Sequence, residues 1–228
     1  MLNKSKIALF WSGGKDSARA LWELQTVLQD RYEVVKLVTT INQHFGRISM
    51  HGVRESLLDQ QANEIGLPLH KMYVSEQCSN EEYETVLFDT YLALKAEGIT
   101  HIAFGDIFLE DLRQYREQLL AKVGLISLFP LWKRNTTDLI HEFIAAGFQT
   151  ITCCVQSILL DETWVGRKID HSFITELPPN IDPCGENGEF HTFCFAGPIF
   201  KNPIPITIGE RVFKPYKDGA GFWFIDLN

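Results

Sequence analysis

The first half of the chain alternates short apolar runs with amphipathic stretches. KIALFW (Lys6 to Trp11) is nearly continuous in apolar residues and has the length of a strand buried on both faces. After it, Leu21, Leu24 and Leu28 recur at i, i+3 and i+7, one stripe of a helix. VVKLVTTI (Val34 to Ile41) predicts a second strand, and Leu58, Ala62 and Ile65 mark a second helix that Gly66 and Pro68 stop. LHKMYV predicts a third strand. Ser79 and Glu82 have capping-box spacing ahead of a helix carried by Tyr83, Leu87, Thr90 and Leu94 and closed at Gly98. HIAFG, a helix from about Glu110 to Lys122 and a strand over about Leu125 to Phe129 complete five β/α units. Such alternation predicts an α/β fold, a parallel sheet covered by helices on both faces.

From about Phe129 the texture changes. One more helix, Asp138 to Ala146, and one more strand, FQTITCCV, precede the proline- and glycine-rich stretch ELPPNIDPCGENGEF. Beyond it HTFCFAGPIF, IPITIG and GFWFIDL, with KDGAG as a turn, predict antiparallel strands. The expected division is residues 1–128 and 129–228, the second part smaller and α+β in character.

With 228 residues, 45% of them hydrophobic and 22% charged, the chain can bury a substantial core. Its apolar runs are short and interrupted, and its start lacks the pattern of a signal peptide, so no membrane span and a cytoplasmic location are expected. Five cysteines, Cys78, Cys153, Cys154, Cys184 and Cys194, form no C-x-x-C pair, which argues against a disulfide framework and a four-thiolate zinc site. A net charge of -8 supplies no general field for polyanions and disfavours nucleic acid as a partner.

The chemistry-bearing motif sits where the first strand meets the first helix. Ser12, Gly13, Gly14, Lys15, Asp16 and Ser17 read SGGKDS. Paired glycines let backbone N–H groups approach an anion, the helix that follows presents its positive end, Lys15 adds a charge, and the serines add hydroxyls. That combination suits phosphate. Neither G-x-x-x-x-G-K-[ST] nor G-x-G-x-x-G is present, and the plain alternative is a strand-to-helix turn capped by Asp16 or Ser17.

SGGKDS resembles the loop of the PP-loop ATP pyrophosphatases, which cleave ATP to AMP and pyrophosphate. MHGVR (Met50 to Arg54), GDIFLEDLRQYRE (Gly105 to Glu117), FPLW, WVGRKID and DPCGENGEFHT (Asp182 to Thr192) extend the likeness. Together they resemble the diphthine-ammonia ligase family over nearly the whole chain. The resemblance implies a Rossmann-like, doubly wound parallel sheet of order 3-2-1-4-5, with a smaller α+β C-terminal domain closing over it. It also implies adenylation of a substrate carboxylate by ATP, followed by displacement of AMP by ammonia. In such a sheet ligands sit at the carboxyl ends of the strands where the order reverses, so SGGKDS and Gly105-Asp106 are expected to face one crevice.

On that basis ATP is expected at Ser12 to Ser17, Gly105 and Asp106, with Mg²⁺ at Asp16 or Asp106. Lys15, Glu186, Glu189 and His191 are the expected catalytic groups, and His51, Arg54, Glu110, Arg113, Arg116 and Asn187 the expected acceptor contacts. Arg113 and Arg116 suit bidentate recognition of a phosphate or carboxylate, or simple ion pairs along a solvated helix. Cys184 is expected to be structural. The family's characterised acceptor is diphthine on elongation factor 2, which makes ammonium and that protein the implied partners. A corrinoid or other small carboxylate, a tRNA-modifying pyrophosphatase and a nucleotide sensor without turnover are the alternatives. Oligomeric state is not readable from the sequence.

Overall fold

The structure is a computed structural model that describes residues 4–49, 51–216 and 220–228. Strand β1 (Ser5–Phe10) lies at the centre of the first sheet. Ile7, Ala8 and Leu9 are all fully buried there, as an apolar run between two helical layers requires. It runs parallel to β2 (Tyr32–Asn42) on one side and to β5 (His101–Ala103) on the other. β4 (Leu69–Val74) lies outside β2 and β6 (Ile126–Leu128) outside β5, both parallel. The order β4-β2-β1-β5-β6 is the 3-2-1-4-5 order of the five expected strands. β3 (Arg47–Ile48), which the sequence pattern does not announce, adds two antiparallel pairs at the end of β2.

Helices α1 (Lys15–Thr26) and α2 (Glu55–Ile65) set Leu21, Leu24, Leu57 and Leu58 against Ile7 and Leu9. On the opposite face α3 (Asn80–Ala96) and α4 (Glu110–Val123) set Leu87, Tyr91, Leu94, Leu119 and Leu120 against Ala8, Val38 and Ile102. The alternation of Ile7, Ala8 and Leu9 between the two clusters is the period-two pleat of the strand. α3 starts at the expected capping box: Ser79 Oγ accepts from the Glu82 N–H at 3.1 Å, and Glu82 Oε2 accepts from the Ser79 N–H at 2.9 Å.

After α5 (Thr136–Ala145) comes an antiparallel sheet of order β8-β7-β10-β9. Its strands are β7 (Gln149–Gln156), β8 (Phe190–Ala196), β9 (Ile208–Pro215) and β10 (Gly221–Leu227), with a short helix α6 (His171–Glu176) between β7 and β8. The strand expected over IPITIG begins only at Ile208. Pro203 and Pro205 cannot donate to a ladder, and the Ile204 N–H instead reaches the Phe195 carbonyl at 2.7 Å. Of the expected KDGAG turn, Lys217, Asp218 and Gly219 lie outside the described residues; the Tyr216 N–H closes the hairpin on the Ala220 carbonyl at 2.8 Å. Phe190, Phe193 and Cys194 of β8 share one core with Leu21 and Leu58, so the second sheet packs directly on the α1–α2 side of the first.

Candidate active site

The loop from Ser12 to Gly14 leaves β1 and enters α1 at Lys15, with Gly14 as an N-cap that has no side chain to offer the helix. Gly13 has φ +76°, and a Cβ there would lie 2.7 Å from Leu58 Cδ2, so only glycine fits without strain. Strand β8 holds the loop from the other side. The Gly13 carbonyl accepts from the Cys194 N–H at 2.8 Å, and the Lys15 N–H donates to Thr192 Oγ1 at 3.0 Å. Ser17 Oγ donates to the Gly14 carbonyl at 2.9 Å and lies 3.3 Å from Ser12 Oγ. A Cβ on Gly105 would lie 3.0 Å from the Asp16 carbonyl carbon, so the exit of β5 rests on the first turn of α1. The two motifs expected to share a crevice therefore touch.

Around this junction opens a cavity of about 810 Å³. Ser12, Lys15, Asp16, Ser17, Gly105 and Asp106 line it on the side of the first sheet. His51, Arg116, Glu186, Asn187 and His191 line it as well. Lys15 is 4% exposed; its Nζ donates to Asp16 Oδ2 at 2.7 Å and lies 5.4 Å from the centre of the Phe190 ring. Burial works against its ammonium, but Asp16 and Glu186 outweigh that and hold its pKa above the ordinary value. Glu186 accepts from the backbone N–H groups of Ile107 at 2.6 Å and Phe108 at 3.3 Å, bridging the loop that precedes β8 to the segment before α4. Burial, reinforced by Asp16, nevertheless pushes its carboxyl up to about 7.

His51 and His191 lie with ring centres 4.6 Å apart and planes at 33°. His51 Nδ1 lies 3.1 Å from the Thr192 carbonyl, which can only accept, so that nitrogen carries the proton. Burial lowers His51 to about 4, with Lys15 adding to it against the pull of the Thr192 bond. His191 is held well below the ordinary imidazole value by burial, His51 and Lys15. For both imidazoles burial favours the neutral form.

The remaining expected residues have other partners. Glu189 is 2% exposed, and its carboxylate accepts from the backbone N–H groups of Asp182 and Asn187 and from Asn187 Nδ2, at 2.9–3.0 Å. It shapes the 182–188 loop rather than facing the cavity. Arg116 forks Asp106 at 2.7 and 3.2 Å while its guanidinium lies over Phe104. Arg113 pairs with Glu117 at 2.7 Å and stacks on Phe129 and Trp132, and Glu110 is exposed at the start of α4; neither lines the cavity. Arg54 donates to Asp226 Oδ2 at 2.6 Å, alongside Arg47 on Oδ1. Asp16 and Asp106 are thus each engaged by a cation, and among the described residues no three His, Cys, Asp or Glu side chains form a metal cluster. Cys184 is buried, its thiol pushed well above the ordinary value by that burial, which makes it inert.

Two residues that the sequence reading does not single out complete the site. Thr192 caps the Lys15 N–H. Gln61, fully buried on α2, accepts from Trp11 Nε1 at 2.8 Å and donates through Nε2 to the Gly13 carbonyl at 2.9 Å and the Cys194 carbonyl at 2.6 Å. The one signal for it is a polar residue at i+3 from Leu58, inside the apolar stripe of its helix. No helix among the described residues is long and apolar enough to cross a membrane.

Comparison with known families covers both sheets. The family model described as diphthamide synthase N-terminal domain matches residues 5–127, and that described as diphthamide synthase C-terminal domain matches residues 135–226. The diphthine–ammonia ligases of Bos taurus and Homo sapiens are each 26% identical to the chain over 226 residues, covering 91% of it and 85% of their own length. That of Saccharomyces cerevisiae is 23% identical over 228 residues, which make up 33% of that longer protein. With more than half of its length matched by a single family model and most of the rest by that model's companion, the chain belongs to the diphthamide synthase family.

Proposed function

We propose that the chain is an ATP-dependent ammonia ligase: it adenylates a substrate carboxylate, releases pyrophosphate, and gives an amide when ammonia displaces AMP. The observation that carries this reading is the convergence of the SGGKDS loop, Gly105-Asp106 and the 182–192 segment on one cavity. Diphthine–ammonia ligases among its relatives make diphthine on elongation factor 2 the first acceptor to test.

In this reading the loop amides and Lys15 receive the β- and γ-phosphates, where they stabilise charge on the departing pyrophosphate. Asp16 and Asp106, which pair with Lys15 and Arg116, are the carboxylates that would hold the magnesium of a MgATP substrate, where the ion would help to neutralise the polyphosphate charge. Glu186 and Asn187 form the wall beside the acceptor carboxylate, while His191 and His51 face the loop. Glu189 acts through the loop it shapes. Adenylation proceeds by in-line displacement: a carboxylate oxygen bonds to the α-phosphorus as the bond to pyrophosphate breaks. Ammonia then bonds to the acyl carbon, AMP leaves, and the surplus protons pass to solvent.

The test is product analysis with MgATP and ammonium, offering in turn diphthine-bearing elongation factor 2, corrinoid carboxylates and other small carboxylates, with Lys15→Ala as control. AMP and pyrophosphate with one acceptor, reduced about 100-fold or more in Lys15→Ala, support the reading and name the substrate. ADP and phosphate, or no cleavage with any acceptor, overturn it.

A further inference from the structure

We propose that His51 and His191 form a polyphosphate-contacting pair that binds the anion in protonated form, so that nucleotide arriving at the SGGKDS loop draws a proton into the protein. This inference rests on the nucleotide reading above and assigns to the two imidazoles a ligand class, the triphosphate chain, and a protonation state.

Geometry carries the argument. The pair lies directly on the loop: a Cβ on Gly14 would come within 3.1 Å of His51 Cε1 and 3.0 Å of the Thr192 carbonyl. Both rings line the cavity. His51 spends its Nδ1 proton on Thr192, which leaves its Nε2 a lone pair. His191 Nε2 is buried and has no hydrogen-bond partner among the described residues. An unpartnered buried nitrogen costs stability, and beside a glycine–lysine loop of this kind the natural explanation is a partner that comes with the ligand.

The surrounding charges set the direction. Burial, and with it Lys15 facing the pair from α1, disfavours a second and third positive charge there. From β7, Cys154 stands opposite His191 in register and brings no charge. Just before β8 Glu189 is turned to the amides of Asp182 and Asn187, and before α2 Arg47 and Arg54 share the one carboxylate of Asp226 of β10. From the 182–188 loop Glu186 also faces the cavity, and Asp182 is engaged by the amides of Cys184 and Glu186 and by Thr136. Lys15 is therefore the facing charge that adds to burial in disfavouring the protonated imidazoles. A triphosphate on the loop outweighs it several-fold, reversing the local field, and a protonated imidazole then donates to phosphate oxygen through Nε2–H.

The test is isothermal titration calorimetry of MgATP into the full chain at pH 6.5, in buffers of differing ionisation enthalpy, for wild type, His51→Gln, His191→Gln and Glu186→Gln. The ligand's own ionisation is common to all four and cancels in the differences. Glu186→Gln removes whatever proton Glu186 contributes. Wild type is expected to take up about one proton more per nucleotide than His191→Gln, with affinity falling up to about tenfold per pH unit more steeply between pH 6 and 8. His51→Gln should lose part of the same uptake, and it serves as the deciding variant if His191→Gln melts early. Binding with equal uptake in wild type and both histidine variants overturns this inference alone. Absence of MgATP binding in wild type overturns the nucleotide reading together with it.

Discussion

Gln61→Leu should destabilise the protein well beyond an ordinary surface change, although the two side chains are similar in size. Gln61 is fully buried, and its three hydrogen bonds join Trp11 of the strand exit, Gly13 of the loop and Cys194 of β8. Leucine removes all three. The Gly13 carbonyl keeps the Cys194 N–H, so the groups left worst off are Trp11 Nε1, in a residue 1% exposed, and the Cys194 carbonyl. At about 1–3 kcal/mol for each stranded polar group, offset by about 1 kcal/mol for the more apolar side chain, the net loss is about 3 kcal/mol. For a chain of this size that lowers Tm by about 6–12 °C. Gln60→Leu, on the exposed side of the same helix, is the control, since it makes the same chemical change without burial. The assay is urea and thermal denaturation followed by circular dichroism, with MgATP affinity measured alongside, because the loop carbonyl loses its clamp. A Gln61→Leu midpoint within about 2 °C of Gln60→Leu would refute the assignment of Gln61 as the polar hub of the site.

Gly13→Ala combines a left-handed backbone with contacts at 2.7 Å to Leu58 and 2.8 Å to Gln61; a stability loss above about 2 kcal/mol in urea melts is expected, with loss of MgATP binding. At Asp226 burial opposes ionisation, but hydrogen bonds from Arg54 and Arg47 outweigh it and hold the carboxyl at about 2. Its contribution is present above the ordinary carboxylate value and is lost as pH falls through about 2, so the urea-midpoint gap between wild type and Asp226→Asn should close on going from pH 5 to pH 2; a constant gap counts against the pairing. Glu186 has the opposite sign. With its carboxyl raised to about 7, wild type should lose stability relative to Glu186→Gln as pH rises from 5 to 8, and parallel stability profiles for the two proteins would contradict that shift.

The first sheet was legible because its strands declare themselves locally. Ile7, Ala8 and Leu9 are apolar in a row because both faces of β1 are covered, and the capping box at Ser79 and Glu82 needs only neighbours three residues apart. The loop was legible for the same reason: glycines, lysine and serines lie together in sequence. Where the outcome depends on residues far apart in the chain, the pattern is silent. Arg54 is expected to meet the acceptor through the MHGVR resemblance, yet its carboxylate partner Asp226 is 172 residues away. Glu189 reads as one carboxylate among several in a polar loop, and only the fold turns it inward onto Asp182 and Asn187. β3 is two residues long and α6 six, too short for either period to register. β9 is exposed along its whole length, so it carries no buried face for alternation to mark.

The loop is not the product of its own six residues. Its Gly13 carbonyl is held by Cys194 and Gln61, and its Lys15 N–H by Thr192, so segments near 61 and 192 complete what Ser12 to Ser17 begin. The Lys15 amide is among the donors that an arriving phosphate would seek, and Thr192 Oγ1 accepts from it. A hydroxyl can donate as well as accept, so a phosphate taking that amide leaves Thr192 free to turn its proton toward the same oxygen. Thr192 follows His191 on β8, and its carbonyl orients His51. Occupancy of the loop would therefore reach the imidazole pair through one residue, and through β8 reach Glu189 and the 182–188 loop, which lines the cavity. The glycine loop and the 192–194 segment are thus built as one unit: Thr192 accepts from the Lys15 N–H, and the Gly13 carbonyl accepts from the Cys194 N–H.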